Sequence, residues 1–387
     1  MIKVLTAVTE EIDDADEAVN EILNQLDLNN NLAANSVGLI TCALEFIHSG
    51  VLEALSRKLP FCTVGITTQV SAENGIFSPM LLAISVLTAD DVVFSVEHSG
   101  TITSENVNET ISSAFKKARS KLTGDPCLVL AYPPIIMSIG SYPIVNAIFK
   151  EAGDTPVFGT LACSANPDNS NSFTIVNGKA ESMSAAFVLM SGNVHPNFFM
   201  VSIPEQNLQR QYGVITESDG CRVCKVNGMS FVDFLKKRGF SDADINANTL
   251  YLIPFVLNFG DGSRPIVRAL YSIDDDGAAI FGDEMPKGKA ISTGSLNYNG
   301  IIETTEELMR QIPSQKDING ILIYSCLVRH ILLGIKDDDE LKKIIEMLGE
   351  TAPYQVCYSG GEICPVKDSD GKFINRMHNY TLVACVL

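Results

Sequence analysis

Ile321-Leu322-Ile323-Tyr324-Ser325-Cys326-Leu327-Val328-Arg329, Tyr358-Ser359-Gly360-Gly361-Glu362-Ile363 and His378-Asn379-Tyr380-Thr381-Leu382 decide how the chain is read. The first is an apolar, β-rich run that ends in polar residues. The second ends in two glycines and a carboxylate, and the third is opened by polar residues. With the helical pattern over 338–348, they predict strand, helix, strand, strand.

The same order occurs twice upstream. Strand 36–43, helix 51–58 and strand 61–67 are followed by Asn74-Gly75 and strand 80–87. Strand 127–132, a helix over 142–151 and strand 157–162 are followed by Asn177-Gly178 and strand 184–190. Pro60, Pro156 and Pro353 each precede the middle strand, and Asp370-Gly371 supplies the turn of the third copy. A helix crossover makes the first two strands of such a unit parallel, and a tight turn returns the next one antiparallel. The expected fold class is α+β, or mixed α/β: two domains built from repeated βαββ units with mixed parallel/antiparallel sheets. The polar run 205–211 is the expected crossing, which gives domains 1–204 and 205–387. A length of 387 residues suits two cores.

The formal charge is -18, from 46 acids against 28 bases. Nucleic-acid binding needs clustered Lys and Arg, so that partner class is not expected. No apolar run is long enough to span a membrane, so no membrane partner is expected either. The short run after Met1 meets Glu10, Glu11, Asp13 and Asp14, unlike a signal peptide, and the chain reads as cytoplasmic. Ten scattered cysteines, several inside apolar runs, predict reduced thiols rather than a disulfide framework. Cys221 and Cys224 have no second Cys/His pair at zinc spacing.

Ligands in open α/β sheets bind beyond the carboxyl ends of strands. The middle strands end at Thr67-Thr68, at Gly159-Thr160 followed by Cys163-Ser164, and at Tyr358-Ser359-Gly360-Gly361-Glu362. Arg329 follows an apolar run and must meet an anion if it is buried. It could receive a ligand carboxylate while Glu362 receives an ammonium group, with Cys326, Asn379 and Thr381 nearby. Alternatively Arg329 and Glu362 pair with each other. Cys326 with His330, and Cys163-Ser164, offer nucleophiles without an identifiable orienting group or oxyanion site.

Cys326-x-x-Arg329 with Gly334, Tyr358-Ser359-x-Gly361-Glu362-Ile363 and His378-Asn379-x-Thr381 resemble the C-terminal FIST domain. Val267-Arg268 with Gly277, Phe281, Pro286 and Gly288 resembles the strand and turn that open it. Pro156-Val157-Phe158-Gly159 and Asn177-Gly178 resemble the final strands of the N-terminal FIST domain. The family's Gly-x-Ala-Gly-Asp appears here as Thr160-Leu161-Ala162-Cys163-Ser164, which keeps only the alanine. The resemblance implies a non-enzymatic intracellular sensor for a small-molecule ligand, with amino acids or related carboxylates expected. Its output would pass to a separate partner such as a histidine kinase. It also implies one alternative, a haem-binding nitric oxide sensor, with no other cofactor expected; the cysteines named above leave a second, a cysteine-dependent small-molecule hydrolase.

Overall fold

A parallel pair of strands joined by a helix leaves both faces of its sheet to be covered, and this chain solves that problem three times over. The computed structural model describes residues 2–164, 171–209, 211–245, 249–313 and 317–387. Arg210, inside the expected crossing, lies outside the described residues.

The first repeat runs β1 (Lys3–Thr9), helix Ala15–Leu26, β2 (Asn35–Cys42), helix Val51–Lys58 and β3 (Cys62–Thr67). It continues into the hairpin β4 (Ser71–Glu73) and β5 (Ile76–Ser78), and closes with β6 (Leu82–Ala89). The second has β7 (Val92–His98), helix Val107–Ser120, β8 (Leu128–Tyr132), helix Ser141–Ala152 and β9 (Val157–Thr160). Its hairpin is β10 (Thr174–Val176) with β11 (Lys179–Glu181), and its last strand is β12 (Ala186–Gly192). The third opens with β13 (Asn197–Val201), after which the chain builds β14 (Gly213–Asp219), β15 (Arg222–Val226), β16 (Met229–Ser230), β17 (Pro254–Asn258), β18 (Ile266–Ile273), β19 (Ala279–Phe281) and β20 (Ala290–Thr293). It then resumes with helix Tyr298–Gln311, β21 (Ile321–Cys326), helix Asp339–Leu348, β22 (Tyr354–Ser359), the hairpin β23 (Glu362–Lys367) and β24 (Phe373–His378), and β25 (Leu382–Val386).

Each repeat is therefore longer than the expected βαββ unit by a leading strand, a leading helix and a hairpin. The strand order is the same in all three sheets: β1-β6-β2-β3, β7-β12-β8-β9 and β13-β25-β21-β22. In each, the second and third strands are parallel and the last strand is antiparallel, as expected. The turn dipeptides, however, do not join the third strand to the last. They sit at the tips of the hairpins, and each hairpin leaves its own sheet.

β10-β11 of the second repeat pairs with β3 of the first. β23-β24 of the third pairs with β9 of the second. β4-β5 of the first pairs with β22 of the third, which closes the cycle. Asn74 (φ 45) with Gly75 (φ 90) and Asn177 (φ 49) with Gly178 (φ 77) have the two positive φ angles that a two-residue hairpin turn needs.

The inner faces of all three sheets share one core, to which Leu39 and Val64, Leu130 and Tyr132, and Tyr324 and Val383 contribute. At its centre the Tyr132 and Tyr324 hydroxyls lie 3.0 Å apart and Phe158 stacks on Tyr324 with ring centroids 5.1 Å apart. The helices cover the outer faces in separate clusters. Strands β14 to β20 form an antiparallel barrel of order β14-β20-β17-β18-β19-β15, closed by β14 on β15. Phe231, Phe255 and Phe281 fill it, with centroids 5.3 to 5.8 Å apart. A division at 204/205 falls between β13 and this barrel, and so separates β13 from the β25 strand it pairs with.

Gly65 and Gly159 occupy the same step of the repeat. A Cβ at Gly65 would lie 1.8 Å from the Ile40 carbonyl oxygen, and one at Gly159 would lie 1.9 Å from that of Ala131. Gly159→Val should therefore destabilise the protein by more than about 3 kcal/mol, through backbone displacement in a packed sheet. Urea unfolding reads this; an unchanged midpoint would contradict the close approach.

Candidate functional site

Closing the cycle brings the three middle-strand ends together. Thr67 N donates to Phe173 O (2.9 Å), Leu161 N to Gly361 O (3.0 Å) and Tyr358 N to Val70 O (3.2 Å), so each end is bonded to the residue that leads into the incoming hairpin or lies next to it. In return Cys163 N donates to Thr67 O (3.2 Å), Gly360 N to Leu161 O (3.0 Å), and the Thr68 hydroxyl to Tyr358 O. Thr67, Thr68, Thr160, Ser164, Ser359 and Glu362 are all buried here. The Thr160 hydroxyl donates to Gly361 O (3.1 Å) and the Thr67 hydroxyl to Cys163 O (3.2 Å). Of the predicted ligand residues, Thr67, Thr68 and Thr160 thus hold the repeats to one another.

Arg329 departs from both sequence readings. It lies in the helix Leu327–Leu333 rather than on the strand, which turns its side chain toward the helix layer and away from Glu362. Its Nη2 and Nε donate to Glu340 Oε1 at 2.6 and 2.9 Å. The Thr304 and Thr305 hydroxyls and the Ile301 and Ser202 carbonyls take its other donors. The guanidinium is 0% exposed, as is Glu340. The partner of Arg329 is thus a helix carboxylate that sequence reasoning missed, and the expected Arg329–Glu362 pair is not formed.

Glu362 instead accepts from the Thr381 hydroxyl (2.6 Å) and the Ser359 hydroxyl (3.2 Å). Burial raises its carboxyl to about 8, against the smaller opposing pull of these two hydroxyls. Asn379 Oδ1 accepts from Ala269 N (3.1 Å) and Asn379 N donates to Val267 O, so Asn379 ties the barrel to the third repeat. The Cys326 thiol is pushed far up by burial and by Glu362, and the Cys163 thiol by burial to about 12, so neither is an activated nucleophile. His378 is buried, and its Nε2 donates to Cys364 O (2.9 Å).

Two cavities bear on ligand binding. One, of about 420 Å³, opens beside the strand ends and is lined by Thr67, Thr68, Ser164 and His330. Among the described residues that line it, Glu45, Asp337 and Asp338 are acids and no lysine or arginine is present, which leaves His330 as the group there that could meet a carboxylate. The other, of about 430 Å³, lies where helix Ser141–Ala152, the barrel and the β23-β24 hairpin meet. Arg268 and Asp283 form its wall, 1% and 8% exposed, with Arg268 Nη2 2.8 Å from Asp283 Oδ2. Arg268 Nη1 also donates to Met377 O (2.5 Å). Burial pushes the Asp283 carboxyl up and the Arg268 guanidinium down, each opposed by the partner's charge.

Arg376 lines the same cleft. It lies over the Phe259 ring at 4.0 Å and spends Nη2 on Asp261 Oδ2 (3.0 Å), while its buried Nε has no partner. The Tyr142 hydroxyl and the Glu284 carboxyl complete the wall, both raised by burial first and by neighbouring acids second. Sequence reasoning noted Arg268 within a strand but found neither Arg376 nor Glu284. The alternation of β24 puts Arg376 on a face that reads as ordinary surface.

Because the folded Glu362 pKa is raised above its unfolded value, the folded state holds the proton more tightly between them. Its contribution is full below about pH 4.5 and declines as pH rises toward 8. Urea titrations from pH 5 to 8 should show wild-type stability falling relative to Glu362→Gln; parallel curves would contradict the buried, protonated carboxyl.

A family model described as the FIST N domain matches residues 36–229, and one described as the FIST C domain matches residues 231–365. No curated protein matches the chain. Among solved structures, the phosphoribosylformylglycinamidine synthase II of Thermotoga maritima aligns at 11% identity over 100% of this chain and 71% of its own, with a TM-score of 0.18, too low to carry an argument. Among the described residues no helix is long and apolar enough to cross a membrane. FIST domains are held to be small-ligand-binding sensor domains of signal transduction. With its two halves matched in order over most of its length, the chain belongs to the FIST family.

Proposed function

We propose that this protein is an intracellular signal-input protein that binds an amino acid or related carboxylate in the cleft between the barrel, helix Ser141–Ala152 and the β23-β24 hairpin. Its output passes to a separate signalling partner, for which a histidine kinase is the expected class. The carrying observation is Arg376: a guanidinium that lines a cleft of about 430 Å³, is fixed by a ring stack and one ion pair, and keeps a buried Nε with no partner among the described residues. A planar cation held in this way suits a carboxylate. The Glu284 carboxyl, to which no hydrogen bond or ion pair is made among the described residues, suits the ammonium group.

The volume suits a single amino acid, and the mixture of charges distinguishes this cleft from the acidic cavity at the strand ends. Arg329, Glu362, Asn379 and Thr381 position the sheet and barrel that frame the cleft rather than touching the ligand. Chemistry is not part of this reading, because the buried thiols favour the protonated form.

A thermal-shift screen of the full chain against amino acids and simple carboxylates, run beside Arg376→Ala, tests the assignment. A ligand at 100 times its dissociation constant should stabilise the wild type by about 2.7 kcal/mol, and Arg376→Ala should lose that shift. A shift of equal size in both proteins would remove Arg376 as the anchor.

A further inference from the structure

Every cation that lines the cleft already faces an acid. Arg268 pairs with Asp283 at 2.8 Å, Lys372 with Asp154 at 2.9 Å and Arg376 with Asp261 at 3.0 Å. Two lining carboxylates are left over. Among the described residues no ion pair reaches Glu284 or Asp368. Asp368 spends Oδ1 on the turn, accepting from the backbone of Asp370 and Lys372 at 2.9 Å each, while the Glu284 backbone carbonyl accepts from Arg268 Nε (3.4 Å) and its carboxyl accepts from none of the described residues. The Tyr142 hydroxyl on the same wall has no hydrogen-bond partner among the described residues and can accept from a further N–H.

From this imbalance we infer that the occupant carries two cationic groups and one carboxylate, as a basic amino acid does. The inference rests on the reading of the cleft as an amino-acid site and narrows its ligand class. One ammonium group meets Glu284, the second cation meets Asp368, and the carboxylate meets Arg376. A neutral amino acid leaves one acid uncompensated in a partly buried wall, and an acidic one adds a like charge beside Glu284. Alkylammonium groups also occur in diamines, which lack the carboxylate, so the two sources differ in their need for Arg376.

Titration calorimetry on the full chain with L-lysine, L-arginine, L-leucine, L-glutamate and putrescine decides the matter. The expected result is that L-lysine or L-arginine binds at least about tenfold more tightly than L-leucine, with no heat from L-glutamate. Glu284→Gln and Asp368→Asn, checked for folding by circular dichroism, should each weaken the basic ligand by about tenfold or more. L-leucine or L-glutamate binding as tightly as L-lysine, or both variants binding L-lysine like the wild type, would overturn the inference while leaving the cleft an amino-acid site. Putrescine binding as tightly as L-lysine, unaffected by Arg376→Ala, would overturn the amino-acid assignment in favour of a diamine. No binding by any of the five would remove the amino-acid reading itself and this inference with it.

Discussion

The exchange of hairpins is the constraint on which the rest of the structure depends. A two-stranded hairpin with three-residue strands has no stability of its own, and the third strand of each repeat would otherwise be an open sheet edge. Passing each hairpin to another repeat removes both problems at once. Because the donation runs second to first, third to second and first to third, each sheet needs a hairpin from a second repeat, and the set of three is complete only when all three repeats are in place. The buried polar groups agree with this order. Glu73, on the hairpin that the first repeat donates, accepts from Ser85 of its own repeat (2.8 Å) and lies opposite Gln355 of the third. Such a carboxylate tolerates burial only if the interface forms around it, and burial raises it well above its usual range.

The cleft arises where the threefold plan is broken. The barrel is inserted between β13 and helix Tyr298–Gln311, so only the third repeat carries it. The hairpin of that repeat has six-residue strands where the other two have three-residue strands, and the extra length reaches the barrel. There Ser369 N donates to Asp261 O (3.2 Å), and a Cβ at Gly262 would lie 2.7 Å from that of Ser369. Helix Ser141–Ala152 belongs to the second repeat, whose β9 receives this same hairpin. The cyclic exchange thus delivers three elements from distant parts of the chain to one cleft.

The repeats were legible because their signals are local: apolar strand runs, helix periodicity, a proline before the middle strand and a turn dipeptide after it. The destination of each hairpin was not legible, since Asn74-Gly75 specifies a turn and says nothing of which edge its strands will join. Arg329 was recognised as a buried cation from the apolar run before it, but its partner depended on whether the chain continued as strand or turned into helix. The chain turns into helix directly after Cys326, which occupies the N-cap position without a side-chain capping bond, and Glu340 receives the guanidinium. Arg376 and Glu284 look like surface charges in sequence, because only the inserted barrel converts their faces into a cleft wall.

The most direct measurement of the account is amide hydrogen exchange with and without saturating L-lysine. Slower exchange is predicted at the barrel segment 259–268, the hairpin segment 368–377 and the helix 141–152 together, with the strand ends at 67–70 and 358–361 already protected in both states. Protection that appears instead only around 43–45, 67–70 and 337–338 would place the ligand in the acidic cavity at the strand ends and contradict the account.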